Sequence, residues 1–201
     1  IVFPAAILQP PFFYDDADDA LNYGGIGSVI GHEITHGFDD QGRQYDAKGN
    51  LRDWWTEEDA RLFKLSADKF IGQYAGTSPL PGLNLNGEYT LGENIADLGG
   101  LCIAFAALKK ITDVSPRLGG VGVGSLNGLT PEQRFFLSYA QTEKCLIRDE
   151  RLKMQILTDP HSPSKYRVNI PLGNMLEFFE AFQIGEGDAM FRRPEDRVVI
   201  W

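Results

Sequence analysis

Residues 22–40 read NYGGIGSVIGHEITHGFDD, and this stretch decides both the fold and the candidate chemistry. Its glycines lower the intrinsic helix propensity but let neighbouring backbones approach closely, which suits a helix buried on several sides. His32 and His36 are four positions apart, so on a helix they project from one face, one turn apart. Two neutral imidazoles in this arrangement can bind one Zn²⁺, and Glu33 can serve as general base toward a water molecule held there. The alternative is a helix that carries two polar residues by chance.

A catalytic zinc site needs a third protein ligand, which must come from further along the chain. The longer pattern HExxHxxGxxH is absent, because position 39 is Asp and position 42 is Gly. The candidates are the remaining histidine and several acids: His161, Glu57, Glu58, Glu88 and Glu93. Glu93 begins an apolar helix with Asp97 one turn later, so a ligand with a second carboxylate behind it is favoured there. A capping box of Thr90 with Glu93 is the competing interpretation.

The length and composition indicate one ordinary globular domain, or a domain and a fragment. The 201 residues are 43% hydrophobic and 23% charged, which excludes wholesale disorder. The formal net charge of −9 argues against nucleic acid as a partner. No run approaches about 18 apolar residues, so no membrane span is predicted in this segment.

The rest of the sequence predicts a mainly α chain with a minor β component. Helix starts are marked by capping residues and by proline at the first helical position. The predicted helices run from about 57 to 74 after Thr56, onward from Thr90 and from Thr130-Pro131, and near 175–183 after Asn174. Turn-forming residues predict an extended start over 1–14, loops over 39–53, 75–89, 112–129 and 159–167, and a strand-like tail.

Long motifs then carry a family resemblance. Residues 22–40, together with LGENIADLGG at 91–100, DWW at 53–55 and DPHSPSKYR at 159–167, resemble the neprilysin and endothelin-converting-enzyme family, the M13 zinc metallopeptidases. The resemblance covers nearly the whole chain, and the ending PEDRVVIW is similar to the bacterial branch. It implies a thermolysin-like (gluzincin) catalytic domain, with residues 1–201 as the C-terminal catalytic part of a longer chain.

The resemblance also implies how the metal is held. His32, His36 and Glu93 would bind one Zn²⁺ per chain, and Glu33 would be the catalytic base. Asp97 would be the hydrogen-bond partner of one zinc-binding histidine, on the ring nitrogen that faces away from the metal.

Two further side chains have roles implied by the resemblance. His161 would stabilise the transition state with support from Asp159, and Arg167 would grip substrate backbone or carboxylate. A histidine donor suits a developing oxyanion, and a planar guanidinium suits carbonyl or carboxylate oxygens. The chain departs from the family at Thr142 and Glu143, where an aliphatic residue and a tryptophan are usual near the primed-side pocket, so the preference of that pocket is open.

The cysteines are a second departure. The animal enzymes are rich in disulfides, but this chain has Val198 where a cysteine is expected and lacks another near Lys69. Cys102 and Cys145 do not fall on the family's usual positions, so free thiols are expected.

Two functions of different class are therefore open. The favoured one is a zinc-dependent endopeptidase or oligopeptidase that hydrolyses peptide substrates. The alternative is an isolated zinc-binding lobe that is inactive without the missing N-terminal half, because the family's substrate-backbone motif is expected upstream of Ile1. The resemblance implies an extracytoplasmic location, either secreted, periplasmic or anchored through the missing N-terminal segment.

Overall fold

The computed structural model describes residues 1–114 and 126–200, with side chains throughout except at 113 and 114. This part contains eight α-helices. They are α1 Asp19–Asn22, α2 Ser28–Thr35, α3 Glu57–Ala75, α4 Leu91–Val114, α5 Pro131–Thr142, α6 Asp149–Thr158, α7 Ser164–Leu172 and α8 Leu176–Phe182. A π-helical turn, Tyr23–Gly27, joins α1 to α2. The β structure of the described residues consists of isolated bridges, such as Tyr45 with Leu51, so the mainly α prediction is confirmed.

Two helices begin where their capping residues predict. Thr56 accepts a hydrogen bond from the amide of Asp59 at the start of α3. Thr130 and Gln133 form a reciprocal capping box at the start of α5, with Pro131 at the first helical position. These local signals satisfy amides that the first helical turn leaves without intrahelical partners.

The long helix α4 is the centre of the core. Its buried residues Ile95, Leu101 and Leu108 belong to one apolar cluster with Phe70 of α3 and Phe135 of α5. By length and composition the stretch Leu91–Thr112 could cross a membrane, with a mean hydropathy of 1.4. However, 67% of its most apolar window is buried inside the protein, which is what a core helix requires.

Helices α2 and α4 cross at glycines, and this crossing positions the candidate site. A Cβ atom added to Gly31 would lie 2.5 Å from the carbonyl oxygen of Gly100. A Cβ added to Gly100 would lie 2.5 Å from the backbone nitrogen of His32. The two backbones can therefore touch only because neither residue has a side chain.

We expect Gly100→Ala to lower the free energy of unfolding by about 1–3 kcal/mol, because the added methyl forces the two helices apart. Gly72→Ala in α3 is the matched control, since a Cβ there meets nothing within 4 Å. That control should be neutral or stabilising, because alanine is the better helix former. Thermal unfolding of both variants checks this, and equal shifts in the two melting temperatures would contradict the role of the crossing.

Several predicted boundaries are wrong. Residues 1–14 are not simply extended, because Ala5–Ile7 forms a 3₁₀ turn. The predicted turn over 159–167 ends early, since α7 begins at Ser164 immediately after Pro163. Helix α6 was not predicted. The predicted loop over 112–129 lies mostly outside the described residues.

The C-terminal part also differs from its prediction. Asn174 does not cap α8, whose N-cap is Met175 without a side-chain bond. Instead, the Asn174 side chain bonds to Gln73 and accepts a hydrogen bond from the amide of Val198. Residues 197–200 form no strand, and this asparagine ties them to the helical core.

Candidate metal centre

Three potential metal ligands converge where α2 crosses the start of α4. His32 and His36 lie on and directly after the last turn of α2, and Glu93 lies in the first turn of α4. The Nε2 atoms of the two histidines are 3.1 Å apart. Oε2 of Glu93 lies 3.2 Å from Nε2 of His32 and 3.7 Å from Nε2 of His36.

A carboxylate behind each histidine fixes its tautomer. Nδ1 of His32 lies 2.9 Å from Oδ1 of Asp97, and Nδ1 of His36 lies 2.7 Å from Oδ2 of Asp39. A carboxylate accepts hydrogen bonds, so each Nδ1 carries a proton, and Nε2, on the side of Glu93, is the nitrogen left to bind a cation. Asp39 is itself held, because its Oδ1 accepts the amides of Gln41 and Gly42.

This donor set fits a zinc ion. Two imidazole lone pairs and a carboxylate oxygen face one another with no donor between them, which only a proton or a metal cation can satisfy. Tetrahedral ligands at 2.0–2.1 Å from zinc lie about 3.3 Å from one another, close to the observed separations. Oε2 of Glu93 is also buried without a hydrogen bond among the described residues, and such an atom is costly unless a cation meets it.

The pKa values of His32 and Glu93 are also shifted by their close contacts. Burial lowers the pKa of His32, but the hydrogen bond to Asp97 and the contact with Glu93 outweigh burial and raise it to about 9. Burial raises the pKa of Glu93, but contacts with His161 and His32 outweigh that effect and hold it well below its usual range. The centre therefore attracts positive charge, and a bound cation would compete with protons for the same lone pairs.

His161 lies beside the three potential ligands. Its Nε2 lies 3.0 Å from Oε2 of Glu93, and its Nδ1 lies 2.8 Å from Oδ1 of Asp159. The same Asp159 oxygen accepts the backbone amide of His161. The next residue, Ser162, is buried and donates to the side chain of Asn94 in α4, so the loop that carries His161 is fastened to the helix that carries Glu93.

Arg167 is locked to Asp97 by two hydrogen bonds. Nε and Nη2 of the guanidinium lie 2.8 and 2.6 Å from the two carboxylate oxygens. Burial lowers the pKa of Arg167, but the charge of Asp97 outweighs it and the pKa is raised. Asp97 thus bonds His32 with the same carboxylate that positions Arg167.

Glu33 lies at the wall of a cavity of about 230 Å³ that His32, His161 and Arg167 also line. We call this space the site cavity. The Glu33 side chain is exposed, so water or a substrate can reach it.

Comparison with known proteins places this geometry in a family. The family described as "Peptidase family M13" matches residues 1–198. The chain belongs to this family. It is 48% identical to Neprilysin-1 of Caenorhabditis elegans over 205 aligned residues, which include 100% of this chain and 26% of that protein. It is 44% identical to Endothelin-converting enzyme 1 of Mus musculus, covering 100% of this chain and 25% of that protein.

A solved M13 structure agrees with the fold. The crystal structure of Mycobacterium tuberculosis zinc metalloprotease Zmp1 in complex with an inhibitor superposes with a TM-score of 0.94 at 46% identity. The match covers 100% of this chain and 31% of that one. The predicted thermolysin-like zinc-peptidase fold is thereby confirmed, and the chain spans about a quarter of the length of the curated M13 relatives.

The structure separates the candidate third ligands of this M13 chain. Among the described residues, the one group of three converging metal-binding side chains is His32, His36 and Glu93. Glu57, Glu58 and Glu88 do not join it. The capping box of Thr90 with Glu93, the competing interpretation, is not formed, because Thr90 bonds to Asn86 and Asn94 instead.

Asp39 is the site residue that sequence reasoning missed. It appeared only as a departure from the HExxHxxGxxH pattern. The available signal was its position three residues after His36, which puts the two side chains within reach at a helix end.

Proposed function

We propose that this chain is the zinc-binding catalytic part of a longer M13 peptidase that hydrolyses peptide bonds. His32, His36 and Glu93 would hold one zinc ion. The observation that carries the proposal is the convergence of two imidazole lone pairs with the buried, unbonded Oε2 of Glu93, beside the accessible carboxylate of Glu33.

The chemistry divides between the metal and the protein. Zinc bound at this centre would lower the pKa of a water molecule to about 7 and polarise the scissile carbonyl. Glu33 takes the proton from the attacking water and delivers it to the leaving amine. The hydrogen bonds of Asp97 and Asp39 keep His32 and His36 in the tautomer that binds metal.

His161 and Arg167 act on the substrate. Asp159 orients the imidazole of His161 through Nδ1, and contacts with Glu93 and Asp159 raise its pKa, which favours the form protonated on both nitrogens. In that form Nε2 of His161 donates a hydrogen bond to the oxygen that becomes negative. Arg167 is always charged and held by Asp97, so it binds a carbonyl or terminal carboxylate of the peptide before the reaction.

The alternative is a zinc-binding lobe that does not turn over by itself. It is supported by length alone, since the matched relatives are about four times as long as this chain. The remainder of the protein would then be the partner that completes the substrate site. We place the whole protein outside the cytoplasm, as the resemblance implies.

Zinc content and hydrolysis, measured on both the full-length protein and residues 1–201, test this function. We expect one zinc per chain in both, and cleavage of a short peptide by the full-length protein. A chelator should abolish cleavage, and added zinc should restore it. A fully zinc-loaded full-length protein that cleaves no peptide would overturn the proposal. Cleavage by the full-length protein alone would show that residues 1–201 are the inactive lobe when isolated.

A further inference from the structure

Glu143 places a negative charge on the wall of the site cavity, and the mechanism does not use it. The residue is the C-cap of α5 and lines the cavity together with Glu33 and Arg167. Its side chain is 18% exposed, so it is partly desolvated yet reachable. Among the described residues its carboxylate makes no hydrogen bond, and its ionic contact is with Nη1 of Arg167 at 3.8 Å.

Arg167 offsets the charge of this carboxylate only in part. The guanidinium already directs Nε and Nη2 to Asp97, and those two bonds are 2.8 and 2.6 Å long. Two carboxylates therefore share one guanidinium, which leaves a negative charge in excess on this side of the cavity. A partly buried carboxylate without a close partner is costly, so a cation that reaches it gains more than it would in water.

The same cavity also has an apolar part. Ile7, Phe12 and Val29 line it, and each is partly buried. A long side chain with an aliphatic stem and a cationic end matches this mixed lining, because lysine and arginine bury their methylene groups while their charge seeks a polar partner. An acidic side chain would face Glu143 and Glu33 together, so the cavity disfavours it.

We infer that the site cavity is a subsite for a basic substrate side chain, with Glu143 as the residue that selects lysine or arginine beside the scissile bond. This inference rests on the proposed peptidase function. Lysine should bind through a charge-assisted hydrogen bond to Glu143, with its stem against Phe12 and Val29.

The experiment uses the zinc-loaded full-length protein and two series of peptides, each varying one residue on one side of the scissile bond. Every series contains lysine, arginine, glutamate and norleucine, which has the lysine stem without the amine. In one series we expect kcat/KM for lysine to exceed that for norleucine by at least about tenfold, as expected for one hydrogen bond between charged groups. Glutamate should be the poorest substrate.

The role of Glu143 is tested by comparing, in variants, the ratio of kcat/KM for the lysine peptide to kcat/KM for the norleucine peptide. Glu143→Gln keeps the shape and removes the charge, so the ratio should fall to about one. Glu150→Gln, on the exposed first turn of α6, is the charge-matched control and should keep the parental ratio. A parental protein without the lysine preference, or a Glu143→Gln protein that retains it, overturns the inference while leaving the peptidase function intact. Failure of the zinc-loaded parent to cleave any peptide overturns both.

Discussion

Replacement of Glu33 by Gln is expected to reduce peptide hydrolysis by roughly 100- to 10,000-fold, the usual contribution of a positioned general base. The amide fills the same space but cannot take a proton from water. Zinc content should be unchanged, because Glu33 is not among the three converging ligands. The measurements are kcat/KM on one peptide, zinc per chain and the melting temperature, all on the full-length protein.

Glu88→Gln provides the control for this change. Glu88 is also an exposed glutamate, but it lies before α4 and outside the site cavity. The control should keep parental hydrolysis. Near-parental kcat in Glu33→Gln would mean that another group is the base, whereas loss of zinc would mean that Glu33 supports the metal.

Local patterns in the sequence predicted the parts of the fold that local contacts determine. Thr56 and Thr130 were recognised as helix starts because a cap bonds to an amide two or three residues away. Asn174 was misread for the opposite reason. Its side chain bonds to Gln73, which is 101 positions away in the sequence, and no local pattern reveals such a partner.

In the candidate site, too, the sequence predicted the residues that are close in the chain but not the contacts between distant ones. Spacing alone placed His32, Glu33 and His36 on one helical turn. Glu93 comes 57 positions after His36, and it reaches the histidines because Gly31 and Gly100 let their helices touch. The family resemblance supplied that link; the residue spacing left His161 and other acids as alternatives. Asp39 was missed although it is local, because its backbone bonds depend on the turn that follows α2.

Zinc affinity should distinguish the role of Glu93 from the role of His161. Glu93→Ala is expected to weaken zinc binding by more than about 100-fold, beyond the roughly 10–100-fold typical of an outer partner such as Asp97. The reason is geometric: Oε2 of Glu93 faces both histidine nitrogens, and no other acid among the described residues joins that group. Zinc titration monitored by competition with a chromophoric chelator, on the full-length protein, measures the affinity.

His161→Ala is the matched test, because this side chain touches the same Glu93 oxygen at 3.0 Å without belonging to the converging set. It should keep zinc affinity near the parental value and lower kcat and kcat/KM by a similar factor, on the order of 100- to 1,000-fold, as expected for one lost oxyanion donor. Asp97→Ala should lie between the two in zinc affinity, since it removes the partner of His32 and also frees Arg167. The opposite order, with zinc retained in Glu93→Ala and lost in His161→Ala, would make His161 the third ligand. Glu93 would then support the centre only through its contact with that histidine.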